Sequence, residues 1–217
     1  MTRQVILLGA GGHAKVVLDV LQLLNQTVVG VTDPQLHQQG IAEWRGLPVL
    51  GDDQAVTCYQ PDQIFLANGL GSLPGQTLRQ TIYKQFKNLG YSFITLVHPS
   101  ALIGTGVTFA EGVQIMAGSI LQPDTYIGEN TLINTGAQLD HDCSIGKHCH
   151  LAPGVILCGN VTMEDTCHLG PASCVTQGCH LGQGSILGAG STLLKNLPAG
   201  GKLLAAKPQS PVTRSSL

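Results

Sequence analysis

The chain has 217 residues, of which 43% are hydrophobic, 11% charged and 4% aromatic, with 28 glycines and a formal net charge of −2. So large an apolar share excludes a disordered chain, and the small negative charge removes any electrostatic case for nucleic acid as a partner. No run reaches the roughly 18 uninterrupted apolar residues of a membrane span. The first dozen residues lack the charged region and cleavage site of a signal peptide, and Val212 to Leu217 carries no lipidation signal. Seven cysteines without a CxxC pair read as reduced thiols, so a cytoplasmic protein is expected.

Gln4 to Leu8 is a short apolar strand running into Gly9-Ala10-Gly11-Gly12-His13-Ala14-Lys15, after which Val16 to Leu24 reads as a helix. Val28 to Thr32 is a second strand ending at Asp33-Pro34, and Gln63 to Ala67 a third ending at Asn68-Gly69. A helix over Thr77 to Leu89 and a strand over Ser92 to Leu96 follow. Alternating strands and helices predict a small parallel α/β unit, with its ligand site at the strand carboxyl ends beside Gly11, Gly12, His13, Asp33 and Gly69. The glycines satisfy G-x-G-x-x-A, with Asp33 where a ribose-binding acid would stand. A tight turn packing strand on helix accounts for the same residues. About 97 residues give half of a two-mononucleotide fold, so a mononucleotide or nucleotide-sugar fits better than NAD. Trp44, in a Gly-flanked loop, reads as a ligand-stacking ring or an exposed loop anchor.

From Ile103 the chain repeats every six residues: Ile103, Phe109, Ile115, Leu121 and so on to Leu193 are all apolar. Two residues before each stands a small residue or Val, from Ala101 to Ser191. Positions two apart share one side of a strand, so each hexad sends one large and one small side chain inward. A fixed period of six cannot sustain an amphipathic helix. Gly often follows the large residue, at 104, 128, 146, 170, 182 and 188, where it is expected to permit a tight corner. Cys143, Cys149, Cys167 and Cys179 fall in the small inward column and read as core, whereas Cys158 and Cys174 fall outside it. Over about residues 99 to 195 the pattern resembles the hexapeptide-repeat acyltransferases. That resemblance implies a left-handed coil, with three hexads per turn, and a trimer of prisms.

The whole chain resembles one family within that group. Leu8-Gly9-Ala10-Gly11-Gly12-His13-Ala14-Lys15-Val16-Val17, the junction His98-Pro99-Ser100-Ala101, and Asp140-His141-Asp142-Cys143 within the repeats are similar to the sialic-acid O-acetyltransferases and bacillosamine-pathway N-acetyltransferases. The expected fold is therefore an α/β Rossmann-like domain over residues 1–97 that binds a nucleotide-sugar. An all-β left-handed parallel β-helix with a C-terminal tail follows over residues 98–217. Acetyl-CoA is the expected cosubstrate, with no metal.

Acetyl transfer needs a base for the nucleophile's proton and donors for the developing oxyanion. His141, between Asp140 and Asp142 on an outward corner, is the candidate base, against the plainer reading of a solvated surface His. The family places the supporting acid at the residue after this His, so that role falls on Asp142; the family often has Glu there, one methylene longer. Gly159 follows His141 by 18 residues, one coil along, where its bare N–H could approach the thioester oxygen. Asn134 and His150 are 16 apart and so lie near one another on adjacent coils. His150 is half a coil from His141, on the opposite side of one prism, so the two share a site only if different subunits supply them. The resemblance implies the same arrangement, with acetyl-CoA between neighbouring prisms, His150 in contact with it, and Pro171 and Ala189 lining its groove. His148 and His168 resemble metal ligands only superficially, because no two histidines stand five apart as in hexapeptide-repeat carbonic anhydrases. His180 reads as surface and His98 as a packed junction residue. The frame ends at Lys195-Asn196-Leu197-Pro198, and the tail Gly200 to Pro208 is expected to leave the coil. Lys195, Lys202 and Lys207 stand ready for phosphates or are simply solvated.

The activity this implies is N-acetylation of a nucleotide-linked amino sugar. O-acetylation of a sialic acid or other sugar hydroxyl is the alternative, and a non-catalytic nucleotide-binding assembly protein the alternative of another class.

Overall fold

A computed structural model describes residues 4–204. The N-terminal sheet contains β1 (Gln4–Leu8), β2 (Val28–Thr32), β3 (Glu43–Trp44), β4 (Leu47–Gly51), β5 (Ile64–Asn68) and β6 (Ser92–Phe93), in the order β3-β4-β2-β1-β5-β6. Every pairing is parallel except the β3–β4 hairpin. The helices are α1 (Gly12–Leu23), α2 (Pro34–Gln38) and α3 (Leu78–Asn88). Helix α1 begins four residues before the expected Val16, because its buried stripe of Ala14, Val17, Leu18 and Leu21 already starts within the glycine turn. The strand order reverses direction between β1 and β5, which leaves a crevice beyond their carboxyl ends.

The hairpin β3–β4 is an addition to the expected elements, and Trp44 is neither loop anchor nor free ring. It packs against the apolar cluster of Val5, Leu7 and Val31. The expected strand over Ser92 to Leu96 is two: Ser92–Phe93 closes the α/β sheet, and Leu96–Val97 is the first rung of the coil, paired with Gln114–Ile115.

The remainder is a left-handed parallel β-helix of three faces. The first face stacks rungs at residues 96, 114, 132, 150, 168, 186 and 202, the second at 102 to 192, and the third at 108 to 180. Register is 18 residues up to the last coil, as in Gln114↔Leu132, Leu132↔His150 and His150↔His168. The last coil is shorter. Lys202 pairs with Ile186, 16 residues back, and the third face closes with a single bridge from Leu181 to Leu197. The tail therefore stays in the coil through Leu203, where it was expected to leave it, because Ile186 still presents a free edge for Lys202 to pair with.

The interior holds the large column, including Ile115, Leu139, Leu157 and Leu187, all buried. The small column closes on the backbone: the hydroxyls of Ser119, Thr125 and Thr131 donate to the carbonyls of Asn134, Asp140 and Gly146. The thiols of Cys143, Cys149 and Cys167 take the same place, donating to Cys158, Glu164 and Gly182. All seven cysteines are unpaired.

Glycine has two separate tasks here. Left-handed φ occurs three residues after the large residue, as at Gly106 (+75°), Asp124 (+63°), Asp142 (+58°), Asn160 (+57°) and Gly178 (+69°). The glycines directly after the large residue do not turn the corner in this way. They let adjacent coils touch: a Cβ on Gly128 would stand 2.6 Å from the Gly146 carbonyl carbon. Gly128→Ala should therefore cost about 1–3 kcal/mol by overpacking, read as a lower urea midpoint at unchanged m-value; an unchanged midpoint would show that the coils can part freely there.

Candidate active site

The second-to-third corner carries His141. Its neighbour Asp142 occupies the left-handed slot of the repeat, which Asp tolerates better than most residues. That geometry turns the carboxylate back on the ring, and His141 Nδ1–H donates to Asp142 Oδ2 at 2.7 Å. Asp140 Oδ1 accepts from the His141 backbone N–H at 2.8 Å. The other face of the ring lies over Gly159, where an added Cβ would stand 2.6 Å from His141 Nε2. Gly159 keeps that space open, and its N–H has no hydrogen-bond partner among the described residues. The pair is exposed, yet the His141 pKa is raised above its ordinary 6.5, chiefly by the Asp142 hydrogen bond and further by the charges of Asp140 and Asp142. The corner thus combines an accepting Nε2, an imidazolium-stabilising carboxylate and a free backbone donor.

The first face holds Asn134, His150 and His168. Asn134 Nδ2 lies 3.3 Å from His150 Nε2, and His150 Nδ1 lies 3.0 Å from the Ser72 carbonyl. The carbonyl can only accept, so His150 carries its proton on Nδ1 and accepts from Asn134. Burial, reinforced by His168, pushes the His150 pKa down to about 3, so it stays neutral. His168 meets it edge-on with ring centroids 4.8 Å apart. Being on the first face, His150 stands opposite the corner that carries His141.

His150 and Asn134 line a cavity of about 350 Å³ whose far wall is His13, Leu70 and Gly71 of the α/β domain. His13 follows the glycine turn and lies beside the coil. Its Nε2 is 2.8 Å from Gln114 Oε1, while Gln114 Nε2 donates to the Asn68 carbonyl. Burial and the nearby Arg79 lower its pKa to about 4, so His13 is neutral, with Nδ1 left as an acceptor.

At the glycine turn, Gly11 caps α1 without a side-chain bond, and neither Gly11 nor Gly12 has any atom within 4 Å of a would-be Cβ. The α1 N-terminus is therefore open to an anion. Asp33 Oδ1 caps α2 through Gln35 and Leu36, and its Oδ2 accepts from Ala10 N–H at 2.9 Å, which ties the second strand end to the turn. Gly69 is a packing glycine: its Cβ would stand 2.7 Å from the Leu8 carbonyl and 2.9 Å from Ala14 Cβ.

Pro171 and Ala189 line a groove of about 420 Å³ with Leu73, Pro74 and Lys202. Lys195 lies on the His141 column, away from that groove, and Lys207 and the tail beyond Leu204 lie outside the described residues. His98 caps the junction through Ser100, and His180 pairs on the surface with Glu164 at 3.2 Å. His148 contacts Asn130 and the Tyr83 ring. Arg79, Gln114 and Ser72 escaped the sequence reading. Gln114 alone left a trace, as a polar residue on an outward position that the domain junction buries.

A Gly-turn α/β domain docked on a left-handed β-helix that carries a His–carboxylate pair beside a bare amide defines a hexapeptide-repeat acyltransferase. Residues 4–86 match the PglD N-terminal domain, and residues 124–159 the bacterial transferase hexapeptide of six repeats. PerB from Caulobacter crescentus, solved with CoA and GDP-perosamine, is 33% identical, covers 94% of this chain and 95% of its own, and superposes with TM-score 0.84. The acetyltransferase domain of PglB from Neisseria gonorrhoeae, solved with acetyl coenzyme A, is 25% identical over 94% of this chain and 97% of its own, with TM-score 0.85. A UDP-N-acetylbacillosamine N-acetyltransferase of Bacillus subtilis is 33% identical over 120 residues, and the match spans 52% of that protein. The chain belongs to the hexapeptide-repeat sugar acetyltransferases of the sialic-acid O-acetyltransferase and bacillosamine-pathway N-acetyltransferase family.

Histidine titration by NMR should separate the two sites. His141 should titrate above 6.5 and fall toward it in Asp142→Asn, while His150 stays neutral down to pH 5. A His150 titrating near 6.5 would mean that it is not held beneath Ser72.

Proposed function

We propose that the protein transfers the acetyl group of acetyl-CoA to the amine of a nucleotide-linked amino sugar. The observation that carries this reading is the likeness to PerB along nearly the full length of both chains, with CoA and GDP-perosamine bound to that relative. The geometry supplies the chemistry. The α/β domain of residues 1–97 holds the nucleotide-sugar: its phosphates meet the open α1 N-terminus at Gly11 and Gly12, and Asp33 and His13 offer acceptors to hydroxyls and N–H groups. Gly69 holds β1 and α1 close enough to form that turn. The β-helix, with its tail in residues 98–217, holds acetyl-CoA along Pro171 and Ala189.

The sugar amine attacks the thioester carbonyl, and His141 Nε2 takes its proton while Asp142 stabilises the imidazolium. The Gly159 N–H donates to the tetrahedral oxyanion, CoA leaves as the thiolate and takes up a proton. His150, kept neutral with its one N–H on the Ser72 carbonyl, orients Asn134, whose second Nδ2 hydrogen is left for the acetyl group. Since His141 and His150 are on opposite sides of one prism, one copy supplies His141, Asp142 and Gly159, and its neighbour supplies Asn134, His150 and the nucleotide-sugar cavity. A homotrimer closes three such interfaces. Seven unpaired cysteines favour a reducing, cytoplasmic setting.

Release of CoA thiol with acetyl-CoA and a panel of GDP-, UDP- and dTDP-linked 4-amino sugars, with sialic acid alongside, tests the reading. Fast release with a nucleotide amino sugar is expected; release with sialic acid alone would make the protein an O-acetyltransferase. His141→Ala should lower kcat/KM by about 10²–10⁴-fold, and retention within about tenfold would remove His141 as the base. Because the base must be unprotonated, the rate should rise with pH through the raised His141 pKa, and Asp142→Asn should move that limb to lower pH while reducing the plateau.

A further inference from the structure

Arg79, in the first turn of α3, is 5% exposed. Its Nη1 donates to the carbonyls of Asn68 and Leu70, and its Nε to that of Asn130. Its Nη2 is buried with no partner among the described residues. No carboxylate pairs with it among the described residues. Carbonyls and water satisfy hydrogens, but neither compensates a buried charge.

Arg79 lines a cavity of about 220 Å³ between α3 and the first face of the coil, beneath the 72–77 loop. Two independent features share it. His168, 8% exposed, has a buried Nδ1 with no partner among the described residues and lines the same cavity from the coil. Helix α3 starts there, with no side-chain cap from Thr77 and no acid in its first turn, so its leading N–H groups are open. Ser72, Gln76, Thr77, Gln80 and Asn130 add polar groups, and among the described residues no Asp or Glu lines the cavity.

We propose that this cavity is an oxyanion site, filled by a phosphoryl group, free or carried on a ligand, that compensates the Arg79 guanidinium. The site is separate from the glycine turn and from the His141 corner. It shares Ser72, Leu73, Gln76 and Arg79 with the cavity of His13 and His150. An anion on Arg79 would therefore fix the 72–77 loop, whose Ser72 carbonyl accepts from His150.

The test is calorimetric titration of the full-length protein with inorganic phosphate in chloride buffer of matched ionic strength, with thermal melting in parallel. Wild type should bind phosphate and melt about 2–4 °C higher at saturation. Arg79→Gln should weaken binding by about tenfold or more. Because that variant risks the fold, Gln80→Glu is the second probe: it sets a carboxylate on the cavity wall at a helix position that accepts it, and should also abolish phosphate binding. Phosphate displaced by CoA or by GDP would identify the bound phosphoryl as that ligand's; phosphate bound alongside both would identify the free ion. No phosphate effect beyond that of chloride, or an equal effect in wild type and both variants, would overturn the proposal.

Discussion

The eighteen-residue parallel ladder is the constraint on which the rest of the structure depends. Each rung pairs with the rung one coil on, so a residue's place on the prism follows from its number. The ladder leaves the interior with alternating large and small columns, and it sets the corner backbone in one repeated conformation. Inward Ser119, Thr125, Thr131, Cys143, Cys149 and Cys167 are tolerated at zero or near-zero exposure because each reaches the corner carbonyl fifteen residues ahead. The candidate site residues are drawn from the same columns. Asp142 faces His141 because the left-handed slot falls there, and Gly159 lies under the imidazole because one coil separates them.

The second constraint is that one face of the prism is not free. Leu96, Met116 and Leu132 on the first face share a buried cluster with Val5, Leu7, Ala14 and Val17 of the α/β domain. Polar groups cross the same junction. Gln114 spans His13 and Asn68; Asn68 donates to Asn130, which meets His148. The orientation of His13 at the glycine turn is thus set by a rung of the coil, and the two halves of the chain cannot shift against each other without breaking that network.

Much of this was legible because the period is strict. The hexad columns, the inward cysteines, the proximity of Asn134 to His150 and the separation of His150 from His141 all follow from arithmetic on one repeat. Legibility failed where the period breaks or where residues distant in sequence meet. The shortened last coil pairs Lys202 with Ile186 through an irregular Pro198–Gly201 segment, which carries no hexad signal. The hairpin at Glu43 to Gly51 is too short for a periodic pattern. Arg79 is one of several charged residues on an amphipathic helix, and only the docked coil buries it. The two roles of glycine were merged in the sequence because both follow the large residue; φ separates a turn from a close approach, and composition does not.

Burial sorts the histidines by protonation state. His141 is exposed, paired with a carboxylate, and shifted upward. His13, half-buried, and His150, buried, lie near Arg79, hydrogen-bonded to neutral groups, and are shifted down to about 4 and about 3. A base must cycle between two protonation states near neutral pH, which only the first environment permits. The second environment fixes a tautomer instead, through the Ser72 carbonyl for His150 and Gln114 for His13. A neutral ring with a fixed tautomer discriminates hydrogen-bond donors from acceptors on whatever it faces, and it gives up proton transfer to do so. Opposite shifts in one residue type mark two environments, and the fold keeps them apart by placing one on a solvent corner and the other beneath a second domain.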